Sequence, residues 1–276
     1  MSLQRKRNAT AKNRHGTYTL SKEANSLLAD LLVTMAKFEQ KIELKRQYLA
    51  TNENFEPYGA FQRLDRNETG FLSSKSFLNF IRDNGLAANV TEADCYYLVK
   101  FFDSDLDGQL HYPDFMQIIL PCANSRLRAQ ATQRPNMMCG RYDYLTLDVE
   151  KELAELILME IQMHRDTEDL KQELEATKGY SKDAAYGAVD DCSLNYIYQK
   201  NLERFFNAER RKTSDQEHYA IIRRIDLDAD QKISREEFLE AIAPQEPYSK
   251  MLVRSRAQKR GPRKPVQLTP PKKKVK

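Results

Sequence analysis

The segment Asp103-Ser104-Asp105-Leu106-Asp107-Gly108-Gln109-Leu110-His111-Tyr112-Pro113-Asp114 decides how the whole chain is interpreted. It places three aspartates at alternate positions, follows them with a glycine that permits a sharp bend, and closes with a fourth aspartate. A hard divalent cation takes six to eight oxygen ligands, and carboxylates at this spacing supply several of them within one short loop. Thr91 and Asp94 form a predicted helix cap upstream, and apolar residues at helical spacing flank the segment. This segment, metal loop 1, is therefore predicted to bind a metal ion between two helices.

Residues 226–237, metal loop 2, repeat the arrangement with aspartates at the first, third and fifth positions and Glu237 at the twelfth. Gln231 stands where metal loop 1 has its glycine, and a side chain makes the positive φ of such a bend about 1 kcal/mol less favourable. Ser214 and Glu217 form a predicted capping box ahead of the preceding helix. Metal loop 2 is therefore predicted to bind metal with an affinity that Gln231 lowers.

Both loops resemble the twelve-residue calcium loop of the EF-hand superfamily, which implies Ca²⁺, or Mg²⁺, as the bound ion. The implied ligands are Asp103, Asp105, Asp107, the carbonyl of Gln109 and Asp114 in metal loop 1, and Asp226, Asp228, Asp230, the carbonyl of Lys232 and Glu237 in metal loop 2. Asp114 is one methylene shorter than the glutamate usual at the last position. Weaker calcium binding, or tolerance of magnesium, is therefore expected at metal loop 1.

EF-hands occur in pairs, and each metal loop has a weakened relative 36 to 38 residues upstream. Residues 65–76, degenerate loop 1, keep Asp65, Gly70 and the apolar Leu72 but end in a serine. Residues 190–201, degenerate loop 2, retain little beyond Asp190 and Ile197. Neither segment supplies enough charge for a divalent ion. Both are predicted to be structural hands whose apolar residue pairs, strand to strand, with the neighbouring metal loop.

The chain is an internal duplication. Residue n aligns with residue n + 125 in the first part of each copy, which places Glu43 over Glu168 and Asp65 over Asp190. An offset of 123 then aligns the two metal loops, so the two-residue slip is predicted to fall between the two hands of each pair.

Each copy opens with about 30 residues of helical periodicity, which predicts a long amphipathic helix. In the second copy Glu160 and Thr167 interrupt the apolar face. Such a helix packs either on the rest of its own module or against another protein or chain. The periodicity alone does not separate these two arrangements.

The predicted fold is all-α, with two EF-hand-pair modules, each preceded by a long helix, and short β pairing between loops. The predicted boundaries are a basic arm at 1–15, module 1 at 16–120, a linker at 121–141, module 2 at 142–245 and a basic, Pro/Lys-rich tail at 246–276.

The composition excludes several classes of protein. With 276 residues, 41% of them hydrophobic and 30% charged, the chain is long enough for two domains and contains nothing like a membrane span. Its N-terminal residues predict no secretory signal, and the four scattered cysteines are expected to be reduced thiols inside a cell.

Basic residues are concentrated at the two ends. Residues 1–15 contain five Lys/Arg and residues 250–276 contain eleven, with no acid in either, so residues 16–249 carry a net charge of −12. Such ends are expected to order on an acidic surface. The residues predicted to bind a partner are Arg254, Arg256, Lys259, Arg260, Arg263, Lys264, Lys272, Lys273, Lys274 and Lys276.

Two hand pairs, each with a long helix and one credible metal site, are similar to EF-hand proteins that decorate or line ciliary doublet microtubules. That resemblance implies a calcium-binding structural protein of the cytoplasm, cytoskeleton and ciliary axoneme. Its expected partners are tubulin, other axonemal proteins or copies of itself, without a membrane. The alternative is a sensor like calmodulin or centrin that binds amphipathic target helices.

Two further functional classes are disfavoured. The final Pro271–Lys276 looks like a short nuclear-import signal, but the acidic body opposes extended nucleic-acid binding. The four histidines are dispersed and no nucleophile or phosphate-loop motif is present, so an enzyme is not expected.

Overall fold

The computed structural model describes residues 19–136 and 144–245. Eleven helices and one two-stranded sheet lie in these residues, in agreement with the predicted all-α fold. In chain order they are α1 (Lys22–Thr51), α2 (Pro57–Leu64), α3 (Ser74–Asp83), α4 (Glu92–Phe102), α5 (Tyr112–Ile119), α6 (Ser125–Thr132), α7 (Leu147–Ala176), α8 (Lys182–Val189), β1 (Tyr196–Ile197), α9 (Gln199–Ala208), α10 (Asp215–Ile225), β2 (Ile233–Ser234) and α11 (Arg235–Ile242).

The helix boundaries reproduce the predicted duplication. Helices α7, α8 and α9 begin and end 125 residues after α1, α2 and α3, and α10 and α11 lie 123 residues after α4 and α5. The two-residue slip falls between α3 and α4, as predicted. Both predicted caps are present, since Thr91 and Asp94 form a capping box on α4, as do Ser214 and Glu217 on α10.

The loops of each hand pair are joined by short antiparallel pairing. Leu72 and Leu110 exchange backbone hydrogen bonds of 2.8 and 2.9 Å. In the second pair β1 and β2 place Ile197 opposite Ile233. This confirms the predicted pairing and shows that each degenerate loop completes a hand pair.

The two long helices lie antiparallel against each other. Lys45 of α1 forms ion pairs with Glu152 and Glu155 of α7, and the amide of Ser21 approaches the carbonyl of Gly179 at the other end. Each long helix also packs on hands of the opposite half, α1 on α10 and α7 on α4 and α3. Of the two arrangements left open by the sequence, packing on the helix's own module is therefore wrong for the main contacts. For these main contacts the partner of each long helix is neither its own module nor another chain, but the other half of the same chain.

As a result the apolar side chains of both halves form one continuous core within the part of the chain that the structure describes. The described residues, 19–136 and 144–245, belong to one compact unit. The boundaries of the two modules, 16–120 and 142–245, describe the two copies of the sequence repeat and stay predictions.

The predicted linker contains an unpredicted helix, α6, which packs on α1. Ala131 is fully buried there, and Arg134 donates to the backbone carbonyls of Phe55 and Ala50 at 2.7 Å each. This arginine therefore stabilises the first half and is not available as part of a basic binding segment. None of the described helices combines the length and apolar character needed to cross a membrane.

Candidate metal centres

Metal loop 1 is bent as its sequence predicts. Gly108 has φ +84°, and its amide donates to a carboxylate oxygen of Asp103 at 2.8 Å. Asp107 accepts from the amide of Gln109 at 2.8 Å. These bonds fold the first half of the loop around the side chains of its first and fifth positions. The loop therefore holds its shape through its own backbone.

The oxygen atoms of metal loop 1 are only partly brought together. One atom each from Asp105, Asp107 and His111 lie within 4.8 Å of one another. Asp103 is buried, and its Oδ1 has no hydrogen-bond partner. Asp114 instead accepts from the hydroxyl of Ser104 at 2.6 Å and from the amide of His111 at 3.1 Å. An unsatisfied buried carboxylate oxygen is the feature that a bound cation would satisfy, so the residues fit a hard metal ion.

His111 was missed by the sequence reasoning as a member of this group. It occupies the ninth position of the loop, and its ring lies 3.4 Å from both the carbonyl of Gly70 and the carboxylate of Asp107. The hydrogen bond to Gly70 and the neighbouring aspartates raise the pKa of His111. The signal that could have identified it is the presence of a histidine within a loop of four aspartates.

Metal loop 2 gathers its first, third and last positions more closely. Asp226, Asp228 and Glu237 each place a carboxylate oxygen within 4.8 Å of the others. Burial, together with the hydrogen bond to Asp228, raises the pKa of Asp226 despite bonds from the loop amides. Burial disfavours the charged form of this carboxyl, and a bound divalent cation would stabilise that form. These residues fit Ca²⁺ through three carboxylate groups.

Glu237 also caps the helix that follows the loop. Its two oxygens accept from the amides of Leu227 at 2.7 Å and Ser234 at 2.8 Å. Burial tends to raise the pKa of Glu237, but these bonds outweigh that effect and lower it. Asp230 accepts from the amide of Lys232 at 2.8 Å. The carbonyl ligands assigned to Gln109 and Lys232, and the exact ligand set, stay predictions.

Gln231 has the positive φ predicted for it, +66°. Gln231→Gly should raise the free energy of unfolding by about 0.5–1 kcal/mol, because glycine adopts this conformation without strain. Chemical denaturation of both proteins measures the difference. Gly108→Ala, at the equivalent position of metal loop 1 with φ +84°, should lower stability by a similar amount. Equal stability of Gln231→Gly and the parent protein would contradict the assignment of strain.

The degenerate loops are closed by their own hydrogen bonds. Asp65 accepts from the amides of Thr69 at 2.9 Å and Gly70 at 2.7 Å. Asp190 accepts in the same way from Leu194 and Asn195, both at 2.9 Å. Both oxygens of each aspartate are therefore engaged without an ion. This geometry agrees with their predicted structural role.

A buried network of charges joins the helices that lead into the two metal loops. Arg46 donates to Glu160 at 2.8 Å, to Glu39 at 3.2 Å and to the carbonyl of Ile118 at 2.8 Å. Arg224 of α10 binds Glu160 at 2.8 Å, and its guanidinium lies 4.1 Å from the ring centroid of Phe101, at the end of α4. The network thus ties α10, ahead of metal loop 2, to α4, ahead of metal loop 1.

The Glu39 carboxylate of this network is held ionised by the arginines around it. Burial tends to raise the pKa of Glu39, but Arg46, Arg224 and Arg223 together lower it. Arg223 donates to Glu39 at 2.8 Å. Glu39 and Glu160 are almost completely buried. Separating the two halves of the chain would therefore require their charges to be hydrated or left unpaired.

An ion pair between the halves supplies a prediction about pH. Buried Asp94 of α4 accepts from Arg165 of α7 at 2.9 and 2.5 Å. Burial acts to raise the pKa of Asp94, but the bonds from Arg165 and Thr91 lower it to about 2. A lowered carboxyl pKa contributes stability above about pH 4, which is lost as the pH falls towards 2.

Arg165→Met should therefore lower the free energy of unfolding at pH 7 by about 1–2 kcal/mol. The difference between variant and parent should shrink between pH 4 and pH 2, which urea denaturation at stepped pH measures. A difference that stays constant over this range would mean that the ion pair is not its source.

Two family models, each for an EF-hand domain pair, match residues 58–120 and 199–243. The first match covers α2 to α5. The second begins at Gln199, after most of degenerate loop 2, which agrees with how little of a calcium loop that segment retains. No curated protein gives a significant match. The chain carries two EF-hand domain pairs, in agreement with the resemblance of its metal loops to those of the EF-hand superfamily.

EF-hand domains bind Ca²⁺ and sometimes Mg²⁺, so the chain is a calcium-binding protein. The family is typically non-enzymatic, and the absence of catalysis in this chain stays a prediction. The predicted partner-binding residues Arg254, Arg256, Lys259, Arg260, Arg263, Lys264, Lys272, Lys273, Lys274 and Lys276 lie outside the described residues, as do the arm at 1–15 and the tail at 246–276.

Proposed function

We propose that this protein is a calcium-binding structural component that docks on an acidic polymer, with the ciliary microtubule as the candidate surface. The observation that carries this proposal is the packing of α1 and α7 on the hands of the opposite half. A sensor offers an apolar groove between its hands to a target helix when calcium binds. Here the chain's own long helices take the place of such a target.

The buried charge network favours a fixed arrangement over an opening one. For a target helix to displace α1 or α7, Arg46 of α1 would have to leave Glu160 of α7, and both residues are at most 3% exposed. Breaking a buried ion pair costs about 3–5 kcal/mol when one partner is left unpaired. A calcium-driven exchange of helices would have to supply this free energy, so we infer that the ions mainly stabilise one shape.

The charge distribution supports an acidic partner. The acidic body between residues 16 and 249 carries a net charge of −12, while residues 250–276 contain eleven basic residues and no acid. Several weak contacts along one chain add to a higher overall affinity on a repeating surface. Microtubules present such a surface, and the corresponding location would be the cytoskeleton and the ciliary axoneme.

The test is cosedimentation of the full chain with microtubules at increasing salt. Binding is expected at low ionic strength, weakening as salt screens the basic residues. A chain ending at residue 249 should bind at least about tenfold more weakly. A matched control keeps the full length but replaces the eleven basic residues of 250–276 with glutamine, and it should behave like the truncated chain. No cosedimentation of the full chain at low salt would overturn the proposal.

A further inference from the structure

A cavity of about 150 Å³ lies between the two metal loops. Leu106 of metal loop 1 and Leu227 of metal loop 2 line it from two sides, and Phe101, Phe102 and Met163 contribute apolar surface. This inter-loop cavity is bordered by α1 through Met35 and by α7 through residues that include Met163 and Lys171. Its walls come from both halves of the chain.

One wall of the inter-loop cavity is formed by Lys171 of α7. Lys171 is only 9% exposed. Among the residues that the structure describes, its ammonium group has no hydrogen-bond or ion-pair partner. Burial lowers the pKa of Lys171 to about 8. A buried ammonium without a partner is unfavourable, and an anion placed beside it would relieve that cost.

The carboxylates near Lys171 are already engaged or lie towards solvent. Glu160 is held by Arg46 and Arg224, and Glu168 accepts from the backbone amide of Gln245 at 3.0 Å. Glu240 lines the cavity but is exposed. The strongest hydrogen-bond acceptors near Lys171 therefore already have partners. The ammonium group of Lys171 can accordingly bind an anionic group from outside the chain.

We propose that the inter-loop cavity binds a small amphiphilic carboxylate, with its anionic group on the Nζ of Lys171 and its apolar body against Phe101, Phe102 and Met163. The cavity has a volume of about 150 Å³, which has room for a group about the size of one benzene ring against its apolar wall. The ligand class is thus an aromatic or short aliphatic acid whose body is about that size. The site does not depend on the polymer binding proposed above.

The test compares 3-phenylpropionate with the uncharged 3-phenylpropan-1-ol by calorimetry in saturating Ca²⁺, where the charge of metal loop 2 is neutralised. The acid should bind at least about tenfold more tightly than the alcohol. Lys171→Met should remove this preference, while Lys151→Met, at an exposed position of the same helix, should retain it. Equal affinity of the acid for the parent protein and Lys171→Met would overturn the proposal.

A second readout needs no variant. The methyl resonance of Met163 in the parent protein should shift on titration with 3-phenylpropionate, because an aromatic ring enters the wall that this methionine forms. An unchanged Met163 resonance at saturating probe would also overturn the proposal.

Discussion

Arg46→Met should lower the free energy of unfolding by about 3–5 kcal/mol, the largest effect expected of any single substitution in this chain. The guanidinium is 3% exposed and lies between Glu39 and Glu160, each 1% exposed. Methionine fills a similar volume but leaves both carboxylates with fewer partners in a buried site. Equilibrium unfolding in urea at pH 7 measures the loss.

Two further variants separate the charge network from general damage to packing. Arg126→Met, at an exposed position of α6, should change stability by no more than about 0.5 kcal/mol. Adding Glu160→Gln to Arg46→Met should cost less than the sum of the two single changes, because it removes a buried charge that has already lost one of its two arginine partners. Strict additivity of the two substitutions would contradict the coupling described here.

Glu237→Gln should weaken calcium binding at metal loop 2 by about 10- to 100-fold, because affinity in such loops depends on the number of charged ligands. Glu237 lies within 4.8 Å of Asp226 and Asp228, and glutamine retains its size without its charge. Calorimetric titration should detect two ions per parent chain and one tight ion fewer in the variant.

The neighbouring Glu236→Gln is the matched control, since it removes the same charge from an exposed residue one position away. Its calcium affinity should stay within about a factor of two of the parent. If both variants lost the same affinity, the effect would come from the net charge of the loop, and Glu237 would not be a ligand.

Most of the local structure could be predicted from the sequence because it depends on short-range chemistry. Thr91 and Asp94 cap a helix through atoms three residues apart, and Leu72 and Leu110 occupy equivalent positions in adjacent loops. The helices of the two copies are 125 or 123 residues apart, as the aligned sequences predict, for the same reason. Each of these features depends on one hand or one pair of hands.

The crossed packing of the halves could not be predicted, because it depends on contacts between residues far apart in the chain, such as Asp94 with Arg165 and Arg46 with Glu160. One signal was present in Glu160, which interrupts the apolar face of α7 and is bound by Arg46 and Arg224. A charged residue on an apolar stripe indicates a buried partner, but its identity comes only from the fold. The short helix α6 was missed because eight residues carry too little periodicity.

Hydrogen exchange of the amides in α1 and α7, with calcium bound and with calcium removed, tests the central claim most directly. Both helices should remain protected in the two states, because they are permanent parts of the core. Calcium should change exchange mainly in residues 103–114 and 226–237. Loss of protection along α1 or α7 on calcium addition would mean that the ions release these helices from the hands, and the protein would then act as a sensor.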